Sequence, residues 1–319
     1  MTQDRSDADS LGVEVWRGCV NTWECDEMGH MNVRFYVARA MEGLVGLAAA
    51  LGMPQAFSPF ANATLLVREQ HIRFLREARP GAALHMRGCV VEMRETEARF
   101  LFVLFHAGGG EPAASFQIVV AHVTPGVEPR PFPWSRQAVD LAAALTAPIP
   151  AYAVARSVSL DSFTSQASLA RANALGLIPI SAGAFGAQDC DGFGRMRPEQ
   201  FIGRVSDGIA TLAAGTRSVI LESAEPRPQR VGGAVLEYRL AHLAWPRAGD
   251  RFVVRSGMAG VDERTQRLMH WMLDPFTGKP WGTSEAVAVT LDLDARKIVT
   301  VSPAARAALS ERVIAGLTL

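Results

Sequence analysis

An internal repeat constrains this chain more than any other feature of its sequence. Residues 25–49 read CDEMGHMNVRFYVARAMEGLVGLAA, and residues 190–214 read CDGFGRMRPEQFIGRVSDGIATLAA. Nine of these 25 positions are identical without a gap, where average composition gives roughly one or two. Because the similarity continues on both sides of these segments, the chain is predicted to fold as two copies of one unit.

The total length of 319 residues also agrees with two domains. A Pro-rich stretch follows Thr124, and each copy closes with proline and a short Ala-rich helical pattern, at residues 134–145 and 303–316. We therefore predict an N-terminal domain at residues 12–150 and a C-terminal domain at residues 151–319. The segment 152–176 has no counterpart in the first copy, and the sequence gives no account of its role.

The order of elements is the same in both copies. A strand-like run leads through a Gly/Asp turn into a helix of four to five turns, and four further strand-like runs follow. In the first copy these four runs cover residues 64–75, 83–93, 99–106 and 115–123. Gly52 and Gly215 are predicted to end the two helices, which are apolar around most of their circumference and so predicted to be buried. This order predicts an α+β fold, with an antiparallel sheet wrapped around one long helix.

The bulk composition narrows the classes of partner. Hydrophobic residues make up 49 % of the chain, charged residues 20 %, and the formal net charge is zero, so there is no basic excess for nucleic acid. The four cysteines form no C-x-x-C pair or disulfide framework, which favours a reducing cytoplasm. No signal-peptide pattern opens the chain, and the longest apolar run is about half the ~20 residues of a membrane span. We expect a soluble, cytoplasmic protein without nucleic-acid or membrane partners.

The segment most suited to chemistry is WECDEMGHMNVRFY, residues 23–36. Asp26 is predicted to stand in a turn just before the helix, and Gly29 would let the backbone approach a bound group closely. The N–H groups at a helix start favour negative charge and would stabilise the oxyanion of a thioester carbonyl. A carboxylate beside them would activate water or attack the carbonyl directly. These parts together predict a minimal thioester hydrolase.

The motif D-x-x-G-H-x-N followed by an aromatic residue resembles that of the 4-hydroxybenzoyl-CoA thioesterase group of the hot-dog superfamily. The element order of both copies resembles that fold too, over nearly the whole chain. The resemblance implies that Asp26 is the catalytic carboxylate and that Gly29 or His30 supplies the oxyanion N–H. Asn32 would support the catalytic segment and Tyr36 would contact substrate. No cofactor is implied beyond the coenzyme A of the substrate itself.

The second copy departs from this motif. Asp191 and Gly194 are kept, but Arg195 stands where the first copy has His30, so the motif becomes D-x-x-G-R-x-R. Tandem hot-dog pairs resemble two-chain relatives whose two domains are related by a two-fold axis and share one continuous sheet. In those relatives each site draws on both helices.

The resemblance therefore implies two composite sites. The first would combine Asp26, Gly29, His30 and Asn32 with Arg204, as a substrate-binding residue, and Asp207. The second would combine Asp191, Gly194 and Arg195 with Arg39 and Glu42. Glu42 and Asp207 are predicted in the middle of buried helices, where an unpaired carboxylate is costly. An arginine three residues earlier on each helix is the predicted ion-pair partner.

Less specific interpretations stay open at this point. In one of them Asp26 caps the helix and does nothing more, which is the usual role of Asp at that place. His30 is more often a structural histidine than a general base, and the helix ion pairs would equally fix the helices. A metal site at Cys25, Asp26 and His30 is not expected, because no further ligand cluster lies nearby.

Three functions follow from these patterns. The first is an acyl-CoA thioesterase, with an acyl-carrier-protein thioester as the other carrier and with the acyl group left open. The second is a hot-dog enoyl-CoA hydratase or dehydratase, whose Asp-x-Asn-x-x-His-type segment is not found. The third is a non-catalytic acyl-CoA-binding protein. One double chain is expected to form the minimal unit, and a homodimer of such chains is compatible with the sequence but not required.

Overall fold

The computed structural model describes residues 11–126 and 128–319. Its contacts divide the chain into two compact units. One unit comprises the chain up to Val154 together with Asp189–Gln200, and the other comprises Ala155–Gln188 and Phe201–Leu319. The turn that carries Asp191 thus groups, by its contacts, with the unit that carries Asp26.

The first unit is an antiparallel sheet with one long helix. Its strands are β1 (Val13–Cys19), β2 (Thr64–Phe74), β3 (Ala83–Met93), β4 (Glu97–His106) and β5 (Pro112–Val123), and its helices are α1 (Val33–Ala50) and α2 (Arg136–Ala144). The strands lie in the order β1-β3-β4-β5-β2, and each neighbouring pair in this order is antiparallel. The strand–turn–helix–four-strand order predicted from the sequence is confirmed.

Two glycines allow α1 to pack closely on the sheet. A Cβ at Gly46 would lie 2.5 Å from the carbonyl oxygen of Val15, and one at Gly43 would lie 2.7 Å from Sδ of Met86. Larger side chains would push the helix off β1 and β3. The helix ends at Ala50, and Gly52 follows with φ +79°, a backbone conformation that favours glycine. The predicted helix end at Gly52 is therefore confirmed.

The second unit repeats this plan with a longer central helix. Its helices are α3 (Leu169–Ala174), α4 (Glu199–Glu222) and α5 (Pro303–Ser310), and its strands are β6 (Ile178–Ala184), β7 (Val231–His242), β8 (Arg251–Val261), β9 (Gln266–Leu273), β10 (Pro280–Asp292) and β11 (Lys297–Ile298). The strands lie in the order β7-β10-β9-β8-β6, with β11 paired to β10. These pairings are antiparallel as well, so both repeats have the predicted α+β fold.

The predicted end of the second helix at Gly215 is wrong. Helix α4 continues to Glu222 because the residues beyond the glycine still bury apolar surface, and Ile220 is fully buried. Glycine inside a helix costs only about 1 kcal/mol relative to alanine. The carbonyl of Gly215 also accepts a hydrogen bond from Nη1 of Arg312 at 3.1 Å.

The segment without a counterpart in the first copy is held against β7 by two buried charged residues. The carboxylate of Glu237 accepts hydrogen bonds from the backbone N–H groups of Arg156 at 2.8 Å and Ser157 at 2.7 Å. Two residues further along the strand, Arg239 donates to the carbonyl of Ser159 at 2.7 Å. These bonds account for a segment that the sequence left unexplained. Within the described residues, no helix is both long enough and apolar enough to span a membrane.

Candidate active site

The turn that carries Asp26 is closed by that residue's own side chain and backbone. Its Oδ1 accepts the backbone N–H groups of Met28 at 2.9 Å and His30 at 3.1 Å. The N–H of Gly29 donates to the carbonyl of Asp26 at 3.0 Å, and the N–H of Asp26 donates to the carbonyl of His30 at 2.8 Å. Gly29 has φ +74°, which is why glycine stands there. The carboxylate is thereby fixed in direction by two backbone donors.

The helix begins later than the sequence predicted. Asn32 is its N-cap, with Oδ1 accepting the N–H of Arg34 at 3.0 Å, and the first helical residue is Val33. Asp26 is therefore not the helix cap. The amides of Gly29 and His30 belong to the turn instead of the helix N-terminus, because the Asp26 turn closes before Asn32 starts the helix. Both amides donate inside the turn.

His30 is buried and anchored by the loop between β2 and β3. Its Nε2 lies 3.3 Å from Oε2 of Glu77 and 3.4 Å from Nη2 of Arg79. The N–H of the next residue, Met31, donates to the carbonyl of Ala78 at 2.8 Å. These contacts hold the far side of the turn and agree with a positioning histidine.

Tyr36 fastens helix α1 to the rest of the first unit, and its contact with substrate stays a prediction. It is buried, its hydroxyl accepts the N–H of Ala78 at 3.0 Å, and its ring meets Phe74 edge-on with centroids 5.3 Å apart. Burial raises the pKa of the Tyr36 hydroxyl to about 12. The side chain fixes helix α1 to the loop before β3, since its polar end is used inside the unit.

The second copy rebuilds the turn with the same bonds. Oδ1 of Asp191 accepts the N–H groups of Phe193 and Arg195, both at 2.9 Å, and the N–H of Gly194 donates to the carbonyl of Asp191 at 3.0 Å. Gly194 has φ +74°, the value of its counterpart Gly29. The duplication has therefore preserved the backbone that presents the carboxylate.

The two carboxylates differ at their second oxygen. Oδ2 of Asp191 is bound by Arg195, through Nε at 3.1 Å and Nη2 at 3.0 Å, and the guanidinium lies over the Phe193 ring at 4.8 Å. Arg195 is only 2 % exposed. Among the described residues, no side chain forms a hydrogen bond or ion pair with Asp26. Within the part of the chain that the structure describes, the first turn thus presents a carboxylate oxygen without a side-chain partner, and the second presents an ion pair.

Each helix carries the ion pair expected from its spacing. Arg39 Nη1 lies 2.6 Å from Oε1 of Glu42, and Arg204 Nη1 lies 3.3 Å from Oδ2 of Asp207. The expectation that these carboxylates are buried is wrong, because their side chains are 48 % and 55 % exposed. Both carboxylates are therefore accessible to solvent. Participation of Glu42, Arg204 and Asp207 in a reaction stays a prediction.

Several buried carboxylates, among them two beside the Asp26 and Asp191 turns, were not predicted from the sequence. Glu24 is 1 % exposed and precedes the Asp26 turn. Glu199 is 4 % exposed at the start of α4, and burial raises the pKa of its carboxyl although Arg197 and Arg34 lie nearby. The repeat held one signal, because an acidic residue, Asp189, stands at the position of Glu24 in the second copy.

A cavity in the first unit lies away from the Asp26 turn. It has a volume of about 560 Å³ and is lined by residues at the end of β3 and on α2, among them Met93, Trp134 and Ala142. The Asp26 turn follows Cys19, which pairs with Ala83 at the opposite end of β3, about 30 Å away at the usual rise of a strand. The cavity is therefore not the space beside Asp26. Within the described ranges, no three His, Cys, Asp or Glu side chains are grouped to hold a metal ion.

The fold and the turn define the class of protein. Two repeats, each with a D-x-x-G turn before a long helix and an antiparallel sheet, are a tandem hot-dog protein. The chain belongs to the thioesterase-like superfamily, whose sequence profile matches residues 20–150 and 185–309. Membership of this superfamily places the chain among the thioester hydrolases.

Solved structures agree with this fold. A 12:0-ACP thioesterase from Umbellularia californica aligns with a TM-score of 0.61 at 9 % identity, over 90 % of this chain and 97 % of its own. An acyl-ACP thioesterase from Bacteroides thetaiotaomicron aligns with a TM-score of 0.59 at 11 % identity, over 88 % and 99 % respectively. At such identities the likeness concerns the fold alone. No curated protein sequence matches the chain significantly.

Proposed function

We propose that the chain hydrolyses an acyl-CoA thioester at the Asp26 turn. One observation carries this proposal above the others. Two nearly identical turns each hold an aspartate by two backbone N–H groups, and only Asp26 has a carboxylate oxygen that no described side chain pairs with. The corresponding oxygen of Asp191 forms an ion pair with Arg195. The chain is therefore proposed to have one hydrolytic turn.

In the proposed reaction, Oδ2 of Asp26 accepts a proton from water as the water oxygen attacks the thioester carbonyl carbon. The C–S bond then breaks, and the thiolate takes up the proton from the Asp26 carboxyl, which leaves a free acid and a free thiol. Direct attack by Asp26, through an anhydride that water then cleaves, gives the same products. The bond from the Met28 N–H to Oδ1 keeps the second oxygen pointed in one direction throughout.

The oxyanion donor in this proposal is the backbone N–H of Gly29 or His30. Each would turn from its partner in the turn to the substrate oxygen when the thioester binds. The side of Gly29 where a Cβ would stand has no atom within 4 Å, so there is room for a bound group next to these amides. Asn32 supports the arrangement by starting helix α1 directly after the turn.

The carrier and the acyl group are further parts of the proposal. Coenzyme A is favoured by the D-x-x-G-H-x-N motif, whereas both structural relatives named above are acyl-carrier-protein thioesterases. We propose an acyl-CoA as the first substrate to test and an acyl-carrier-protein thioester as the second. Three further statements remain predictions. They are the need for no cofactor beyond the coenzyme A of the substrate, a cytoplasmic location, and a homodimer of double chains.

The test is thiol release, followed spectroscopically, from a panel of aryl-, medium- and long-chain acyl-CoA and acyl-carrier-protein thioesters. Release by the wild type that is lost in Asp26→Asn supports the proposal. A non-catalytic acyl-CoA-binding role is the second candidate, because the N–H groups of Gly29 and His30 are both engaged in the turn. Tight binding of acyl-CoA without thiol release would favour that role, and hydration of an enoyl-CoA would favour a hydratase.

A further inference from the structure

Glu24 is a buried carboxylate that the proposed chemistry does not use. It lies in a single 3-10 turn, Thr22–Glu24, two residues before Asp26, and is 1 % exposed. A buried charge is costly unless charged and polar groups surround it. The partners of Glu24 therefore indicate why the charge is placed there.

These partners lie on both sides of the Asp26 turn. Oε2 of Glu24 accepts the backbone N–H of Asn21 at 2.7 Å and its side-chain Nδ2 at 3.2 Å. The backbone carbonyl of Glu24 accepts the N–H of Asn32, the N-cap of α1, at 2.8 Å. Oε1 contacts Nη2 of Arg39, which lies on the second turn of α1. One residue thus joins the start of the loop, its end and the helix that follows.

Arg39 is itself a fixed anchor. Its side chain is 18 % exposed, and its guanidinium lies over the ring of Trp16 on β1 at 5.3 Å. Its Nη1 also lies 2.6 Å from Oε1 of Glu42. The contact with Arg39 therefore ties Glu24, and the loop around it, to both the helix and the sheet of the first unit.

We infer that Glu24 is the positioning residue of the reaction, and that it fixes where Asp26 stands relative to α1. This inference rests on the proposed function of Asp26. The carboxylate of Asp26 is held within its turn by backbone bonds, but the turn as a whole is placed by the bonds of Glu24 to Asn21, Asn32 and Arg39. A displacement of about 1 Å between a catalytic group and its substrate costs up to about 10²-fold in rate.

The second copy provides a matched comparison. Asp189 stands at the position of Glu24, is 4 % exposed, and its carbonyl accepts the N–H of Arg197 at 2.9 Å. The backbone hydrogen bond that Glu24 forms with Asn32 is thus retained in the second copy. The side chain is one methylene shorter, and its Oδ1 lies 3.1 Å from the amide nitrogen of Gln200 when that amide is oriented to satisfy both its neighbours. Asp189 places the turn in which Asp191 is paired with Arg195.

The test compares Glu24→Gln with Asp189→Asn, both nearly isosteric, in the full-length chain. We expect kcat of Glu24→Gln to fall about 10- to 100-fold while KM changes less than about threefold, because substrate still binds but the carboxylate is displaced. Asp189→Asn should change kcat less than about threefold. A role limited to stability would lower the melting temperature of both variants and leave kcat of the folded fraction unchanged, and that result would overturn the inference.

Two further variants separate the possible failures. Full kcat in Glu24→Gln together with a large loss in Asp26→Asn would overturn the positioning role and leave the proposed function standing. No loss in Asp26→Asn would remove the proposed function itself. If Glu24→Gln does not fold, Glu24→Asp keeps the charge but has a shorter reach. Reduced kcat at unchanged KM is expected there too, and wild-type kcat would contradict the inference.

Discussion

Arg195 binds Oδ2 of Asp191 through both Nε, at 3.1 Å, and Nη2, at 3.0 Å, inside a turn that otherwise repeats the one around Asp26. A single position in the repeat, His30 in one copy and Arg195 in the other, therefore determines whether the carboxylate is paired. Duplication kept the backbone of the turn, and substitution at this position changed what the turn can do.

The Asp191–Arg195 pair should contribute to stability. Arg195→Met would leave Asp191, which is 27 % exposed, without its partner, and should lower the free energy of unfolding by about 1–3 kcal/mol. The control is Arg94→Met, which removes an exposed pair with Glu92 and should cost much less, because solvent screens an exposed ion pair. Urea unfolding measures both. Equal, small losses in the two variants would show that the Asp191–Arg195 pair stabilises the fold no more than an exposed pair does.

Tyr36 should matter for stability more than for substrate affinity. Tyr36→Phe removes the acceptor of the Ala78 N–H and leaves a buried donor without a partner, which costs about 1–3 kcal/mol. Denaturant unfolding should show this loss, while KM for the best thioester stays within about threefold of wild type. A tenfold rise in KM at unchanged stability would instead restore the substrate contact predicted from the sequence.

Glu199 should make the protein less stable as pH rises. Burial raises the pKa of its carboxyl in the folded state, so the folded state binds the proton more tightly than the unfolded chain does. Its contribution is fully present below the unfolded pKa of about 4.3 and is lost as pH rises through the folded value. Glu199→Gln should therefore gain in stability relative to wild type between acid and neutral pH, measured by urea unfolding at several pH values.

A control of opposite sign is available for that measurement. The hydrogen bond from Arg94 lowers the pKa of Glu92, so its small contribution is present above the unfolded pKa and is lost as pH falls. Glu92→Gln should lose slightly against wild type at neutral pH and match it at acid pH. If Glu199→Gln followed the same trend as Glu92→Gln, the proposed cost of burying Glu199 would be wrong.

The repeat predicted the fold because its elements could be aligned with each other. The order of strands and the long helix in each copy follow from residue patterns that the two copies share. The helix start did not follow, since Asp26 and Asn32 are six positions apart and either residue type can cap a helix. The end of α4 was missed because Gly215 is tolerated where later residues, such as Ile220, still find a core.

The site was only partly predictable for a related reason. Motif spacing predicted the turn of Asp26 and Gly29, and the second copy showed the change to Arg195; the catalytic role of Asp26 stays a prediction. Burial of Glu24 depends on Arg39, fifteen residues away, and a sequence does not show that such a pair meets. The exposure of Glu42 could not be predicted, because apolar residues cover most of the circumference of α1. The hydrophobic periodicity therefore did not indicate which face is exposed to solvent.

The most direct test of the account compares steady-state thioester turnover of Asp26→Asn and Asp191→Asn on the best acyl-CoA. Asparagine is nearly isosteric and retains the Oδ1 acceptor for the two backbone N–H groups, so both variants should fold. We predict a fall of roughly 10²- to 10⁴-fold for Asp26→Asn, the usual scale for losing a positioned acid–base group. Asp191→Asn should stay within about threefold of wild type. Equal losses in the two variants, or full activity in Asp26→Asn, would contradict the account.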